Sequence, residues 1–196
     1  MQISEIFQAM SIIGAAVTIG IAALTFARTQ KWQQLRFATE VIDKIYSDDN
    51  LRLALRFLDW HDREMVLPET YAQYGDAKRK FNHKIANMTI AMSIGSREYD
   101  KGTRVYDLKE EYRKPQFIIY VEVFDQFFDY LCQIHTFIEA GLIDDKNVTP
   151  IAYFIRRLDA LGIFRAFLEK YEGKEVLDLM SRFRISSPEW VQPLAP

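Results

Sequence analysis

A single cysteine, Cys132, rules out an internal disulfide and fits a reducing compartment. No glycine-rich phosphate loop, Gly-x-Ser-x-Gly elbow, Walker or Rossmann signature, or zinc-ligand spacing occurs, so cofactor and hydrolase chemistries find no support. No metal and no cofactor is expected. The net charge is −2, which excludes the overall basic excess of a nucleic-acid binder, and 49% hydrophobic content excludes disorder. No repeat of 20–50 residues stands out, and no segment shows strand periodicity.

The most telling absence is charge. Residues 9–27, AMSIIGAAVTIGIAALTFA, contain no ionisable side chain, and the run ends at Arg28. Nineteen helical residues cover about 28 Å, close to the ~30 Å hydrocarbon core of a bilayer. A helix is the economical way to cross, because an unpaired peptide group in lipid costs several kcal/mol. Thr25-Phe26-Ala27 could pass for a signal-peptidase site, but residues 1–8 carry Glu5 and no Lys or Arg, unlike a signal peptide. Arg28, Lys31 and Arg36 follow the run and no cation precedes it, so the charge rule places the N-terminus outside and the body in the cytoplasm. The expected organisation is a short extracytoplasmic segment (1–8), a span (9–27), a cytoplasmic helical domain (28–185) and a tail (186–196).

The span has two small-residue faces. Ser11, Gly14, Ala15, Thr18, Ala22 and Thr25 share one arc about 100° wide, and Ala16, Gly20, Ala23 and Ala27 share the opposite one. Small residues let helix backbones approach closely, and opposed faces suit a ring in which each copy meets two neighbours. Ser11, Thr18 and Thr25, seven apart, could instead line an aqueous path. Membrane lipid and further copies of the chain are the expected partners.

The body reads as all-α. Trp32, Leu35, Ala38, Val41, Ile42 and Ile45 recur at helical spacing with no Gly or Pro after the span, so the membrane helix should run on into the body. Asp48-Asp49-Asn50 is a break and a new N-cap, followed by Leu51, Ala54, Leu55 and Leu58. Residues 61–76 read as a loop and 77–94 as a helix burying Phe81, Ile85, Met88 and Met92. Residues 95–113 read as an irregular mobile segment and a contact loop for a protein partner.

The clearest helix spans 115–140, about 39 Å, with Pro115 at its permitted first position and Gly141 as its stop. Phe117, Val121, Phe124, Phe128 and Leu131 form one apolar row and Tyr120, Val123, Phe127, Tyr130 and Ile134 another, so this helix must be surrounded. Thr149-Pro150 should open the next helix, ending near Gly162, with short helices over 164–171 and 174–183.

Three histidines invite two readings each. His135 sits at an apolar seam position and reads as a core histidine. His83 falls within the basic cluster Lys78, Arg79, Lys80 and Lys84, which could hold phosphate groups or form a solvated helix face. His61 closes Arg56-Phe57-Leu58-Asp59-Trp60-His61, in which an imidazole could shuttle a proton and a guanidinium could stabilise phosphate charge; alternatively Arg56 and Asp59 are solvated while Trp60 packs. Cys132, between core positions, reads as buried.

The Arg-x4-His spacing of Arg56 and His61 resembles the signature of HEPN-type ribonucleases. That resemblance implies a dimeric all-helical domain acting on RNA, although Phe57 stands where such motifs commonly carry a polar residue. The N-terminal span, helical body and the late hairpin from Phe128-Asp129-Tyr130-Leu131 to Ile138-Glu139-Ala140-Gly141-Leu142-Ile143-Asp144 resemble bacterial single-span membrane families of the DUF4760 type, a likeness that implies no activity. With Arg56, His61 and the small-residue faces, the chain also resembles the membrane accessory proteins of type VI CRISPR systems. That likeness implies an oligomeric inner-membrane pore supporting antiviral defence. Three functions follow as expectations: a self-associating inner-membrane protein, a tethered ribonuclease using Arg56 and His61, or a monomeric anchor that docks a protein partner.

Overall fold

The computed structural model describes residues 3–74, 80–100, 105–171 and 173–185. Seven α-helices dominate them: α1 (Ile3–Ser47), α2 (Asp49–Asp59), α3 (Ile85–Ala91), α4 (Pro115–Glu139), α5 (Asp145–Ala160), α6 (Ile163–Lys170) and α7 (Lys174–Ile185). The fold is a helical bundle with one long N-terminal helix, as the apolar periodicity predicts.

Forty-five residues without Gly or Pro beyond position 20 keep α1 unbroken from the uncharged run into the body. It stops where Asp48 turns back on itself: the Asp48 carboxylate accepts the N–H groups of Asn50 and Leu51 at 2.9 and 3.0 Å, capping α2. Gln126 of α4 donates to the same carboxylate at 3.3 Å and accepts from the Asn50 amide at 2.6 Å, fixing the corner to the core.

Helix α4 is the axis. Phe124, Phe127, Tyr120, Val123, Leu131 and Ile134 are fully buried, and α2, α3 and α7 pack around them. Gly141, at φ +67°, ends the hairpin into α5 in a conformation that an L side chain rarely adopts.

Several local expectations need correction. Helix α5 starts at Asp145, before Thr149-Pro150, because the Asn147 side chain accepts the Asp144 N–H at 2.9 Å and anchors the first turn; Pro150 lies inside the helix on its exposed side. Of the helix expected over 77–94, residues 77–79 lie outside the described residues, and the rest holds a strand, β2 (Lys80–His83), followed by the shorter α3. Strand β2 pairs antiparallel with β1 (Arg63–Val66) from the expected loop. Phe81 mimics helical spacing to Ile85 and Met88, but Phe81 and His83 both point inward while Lys80 and Asn82 face out, a two-residue period too brief to stand out. Within 95–113, β3 (Arg97–Asp100) pairs with β4 (Val105–Leu108), so much of that irregular segment is a hairpin. Trp32 and Leu35 extend the apolar stripe of α1 in sequence, yet both are exposed, because the body covers α1 only from about Gln34 onward.

The Asp48 corner predicts a measurable cost. Asp48→Ala should destabilise the detergent-solubilised chain by about 1–2 kcal/mol in urea unfolding, through loss of the cap and of the Gln126 contact.

Candidate functional site

The N-terminal half of α1 has no partner among the described residues. Ile13, Val17, Ile19, Ile21, Leu24 and Phe26 are 55–68% exposed, and every residue from 13 to 33 is exposed. The helix is long and apolar enough to cross a membrane, and none of its apolar window is buried by the body, unlike the core helix of a soluble domain. The expected contact residues Gly14, Ala15, Ala16, Thr18, Gly20, Ala22, Ala23 and Thr25 lie on this bare stretch; the Ser11 side chain lies outside the described residues. The Thr18 hydroxyl donates to the Gly14 carbonyl at 2.9 Å and Thr25 to Ile21 at 2.8 Å. Each hydroxyl proton is thereby satisfied within its own helix, as a lipid or helix-packing environment requires.

Arg56 and His61 end up in different surroundings. Arg56, in the last turn of α2, stacks its guanidinium over the Trp60 ring at 5.5 Å, with Arg63 at 4.9 Å from the same ring. It lines a surface cleft of about 460 Å³ with Asp49, Arg52, Val66, Pro68 and Glu69, whereas His61 is exposed beyond the helix end and does not line that cleft. Phe57 explains the departure from the motif's polar position: it is fully buried, ringed by Tyr120, His83, Phe81 and Phe124 at 4.8 to 6.3 Å. Asp59 accepts a hydrogen bond from the Tyr153 hydroxyl at 2.8 Å, tying α2 to α5.

The histidine at the heart of the fold is His83, which the basic cluster around it disguises. It is fully buried, with Nε2 3.1 Å from the Trp60 carbonyl and Nδ1 2.8 Å from the Tyr120 hydroxyl. A carbonyl only accepts, so Nε2 carries the proton and the bare Nδ1 accepts from Tyr120, whose oxygen also accepts the Lys84 N–H at 3.1 Å. Burial holds the imidazole pKa below its usual 6.5 and pushes that of the Tyr120 phenol up. With both rings buried, this network locks β2 to α2 and α4 and leaves the imidazole no exposed face for a substrate. Of the basic cluster, Lys80 pairs with Glu64 across the hairpin at 2.6 Å, Lys84 is exposed, and Lys78 and Arg79 lie outside the described residues.

A second cleft, of about 480 Å³, opens between α4, α6 and α7 beside Cys132. Arg97 lies over the Phe167 ring at 4.6 Å and pairs with Asp125 at 2.7 Å, fastening the β3–β4 hairpin to the bundle. Cys132 is half-buried rather than buried, and burial together with Glu175 and Asp129 pushes its thiol pKa up to about 11, so it stays protonated and weakly nucleophilic at neutral pH. His135 is half-buried, its Nε2 3.9 Å from Asp178. Among the described residues, no group of three or more His, Cys, Asp or Glu side chains is placed to hold a metal ion.

The buried imidazole gives folding a pH dependence of definite sign. Its folded pKa lies below the unfolded value, so the unfolded chain binds more protons and stability falls as the pH drops through and below 6.5. Urea unfolding between pH 8 and pH 5 should show this slope, and His83→Gln should flatten it while lowering stability at pH 8. No family model, curated protein or solved structure matches the chain.

Proposed function

We propose that this is a single-pass membrane protein whose span packs against further copies of itself and holds the helical body at the cytoplasmic face of the bacterial inner membrane. One observation carries the reading: some twenty residues of apolar helix project from a folded body, and none of the described residues covers them. In water, that much exposed hydrocarbon on adjacent turns would drive aggregation; in lipid it is the ordinary surface of a helix. The exposed cations Arg28, Lys31 and Arg36 just beyond the run support the cytoplasmic placement of the body.

Self-association draws its support from the two small-residue faces. The in-helix hydrogen bonds of Thr18 and Thr25 satisfy both hydroxyl protons and are compatible with close helix packing. The ribonuclease alternative draws no comparable support, since Arg56 lines a cleft that His61 does not share.

Gly14 and Gly20 make a clean test, because an added Cβ at either would meet nothing within 4 Å inside the chain. The native chain should resist alkaline carbonate extraction and cross-link in membranes into species larger than a monomer. Gly14→Leu and Gly20→Leu should shift that pattern towards monomer without altering circular dichroism or unfolding of the body. Extraction by carbonate would defeat the span, and a monomer at native expression levels would defeat the self-association.

A further inference from the structure

Which end of the body faces the bilayer follows from the register of α4 against α1. The Gln34 side-chain amide donates to the Gly141 carbonyl at 2.9 Å, Phe37 meets Phe137 edge-on at 5.0 Å, the Tyr130 hydroxyl donates to the Val41 carbonyl, and Asn50 meets Gln126. The two helices therefore run antiparallel, and the α4–α5 turn lies where α1 leaves the body. At 1.5 Å per residue, Trp32 stands about 8 Å beyond Ala27 and Gln34 about 10 Å, so against a headgroup layer of roughly 5–8 Å on each side of the hydrocarbon Trp32 lies at its outer edge and the backbone of the turn just above it, within a side chain's reach.

Large apolar side chains at this level are left exposed by the described residues. Trp32 is 71% exposed, Leu35 47%, and Leu142, in the turn, 45%. Trp32 projects about 160° around α1 from Gln34, so Trp32 and the turn flank the helix on opposite sides. The cations that suit an anionic surface lie on α1: Arg28 and Lys31 form no ion pair among the described residues, whereas Arg36 is matched by Glu40 and, at the turn, Arg182 is matched by Glu139 and Asp145 while the exposed Asp144 carboxylate caps α5.

We propose that Trp32 and Leu142 form an interfacial collar that seats the body in the headgroup layer of an anionic bilayer. The proposal rests on the reading of α1 as a span and adds the contact that sets its depth and tilt. The indole supplies a flat amphipathic ring at the water boundary, Leu142 a short apolar wedge, and Arg28 and Lys31 the attraction to lipid phosphates.

The test places an environment-sensitive fluorophore at Leu142→Cys in the full-length chain, both with Cys132 retained at pH 7 and in a Cys132→Ala background. The reference is Ile90→Cys, an exposed position on α3, the helix that begins just after Lys84 meets Tyr120, itself about 30 Å along α4 from the turn. In nanodiscs of phosphatidylglycerol and phosphatidylcholine, the label at 142 should emit to the blue of the label at 90 and be quenched several-fold more strongly by headgroup-nitroxide lipid. Equal quenching at the two positions in reconstituted protein overturns the collar while leaving the span intact. A chain that does not enter the nanodisc overturns the span itself. A label at 142 that is shielded in the detergent-solubilised protein and insensitive to lipid nitroxide marks a contact with a second copy and likewise overturns the proposal.

Discussion

Everything in the body is arranged around the need to cover α4. A helix with two adjoining apolar rows and only a narrow polar strip cannot face water on any broad side, so α2, α3 and α7 wrap it and the β1–β2 hairpin closes its N-terminal end. The polar strip is used too. Gln126 reaches the α1–α2 corner and Asp125 holds Arg97 of the second hairpin, so the few hydrophilic residues of α4 serve as anchor points for its neighbours. Burial pushes the pKa of Asp125 up while the Arg97 guanidinium opposes it, which makes the pair a local tie, not a large source of stability.

Helix α1 lives in two environments with one hydrogen-bond ladder. From Phe37 to Ile45 it lies in the bundle, with Ala38, Val41 and Ile45 buried; from residue 13 to 33 it is bare. No hinge separates the halves. The α-helix therefore runs unbroken from the bare half to the α1–α2 corner. The same continuity explains why the α4–α5 turn holds a defined height relative to the uncharged run.

The Arg56 to His61 stretch shows how core packing decides what a motif becomes. Leu58 and Phe57 are drawn inward, Trp60 offers its ring to Arg56 and Arg63 and its carbonyl to His83, and Asp59 turns to Tyr153. Four consecutive positions are thus committed to packing or to ties between elements, which leaves Arg56 and His61 as neighbours in sequence with separate surroundings. The chemically central imidazole is His83, a buried side chain that satisfies the Trp60 carbonyl and accepts from Tyr120.

The uncharged run, the unbroken α1, the Asp48 cap, the surrounded α4 and its Gly141 stop were all legible in the chain, because each is a local property: hydropathy over one segment, a capping carboxylate, a periodicity sustained for many turns. The two hairpins, the early start of α5 and the burial of His83 were not. Four-residue strands are too short for a period of two to show, and the lysines beside His83 point outward on alternate positions while the imidazole points in. Likewise, nothing local says that Trp32 stays bare while Ala38 is covered. That depended on where the antiparallel α4 ends against α1, a long-range contact that exists only once the chain has folded.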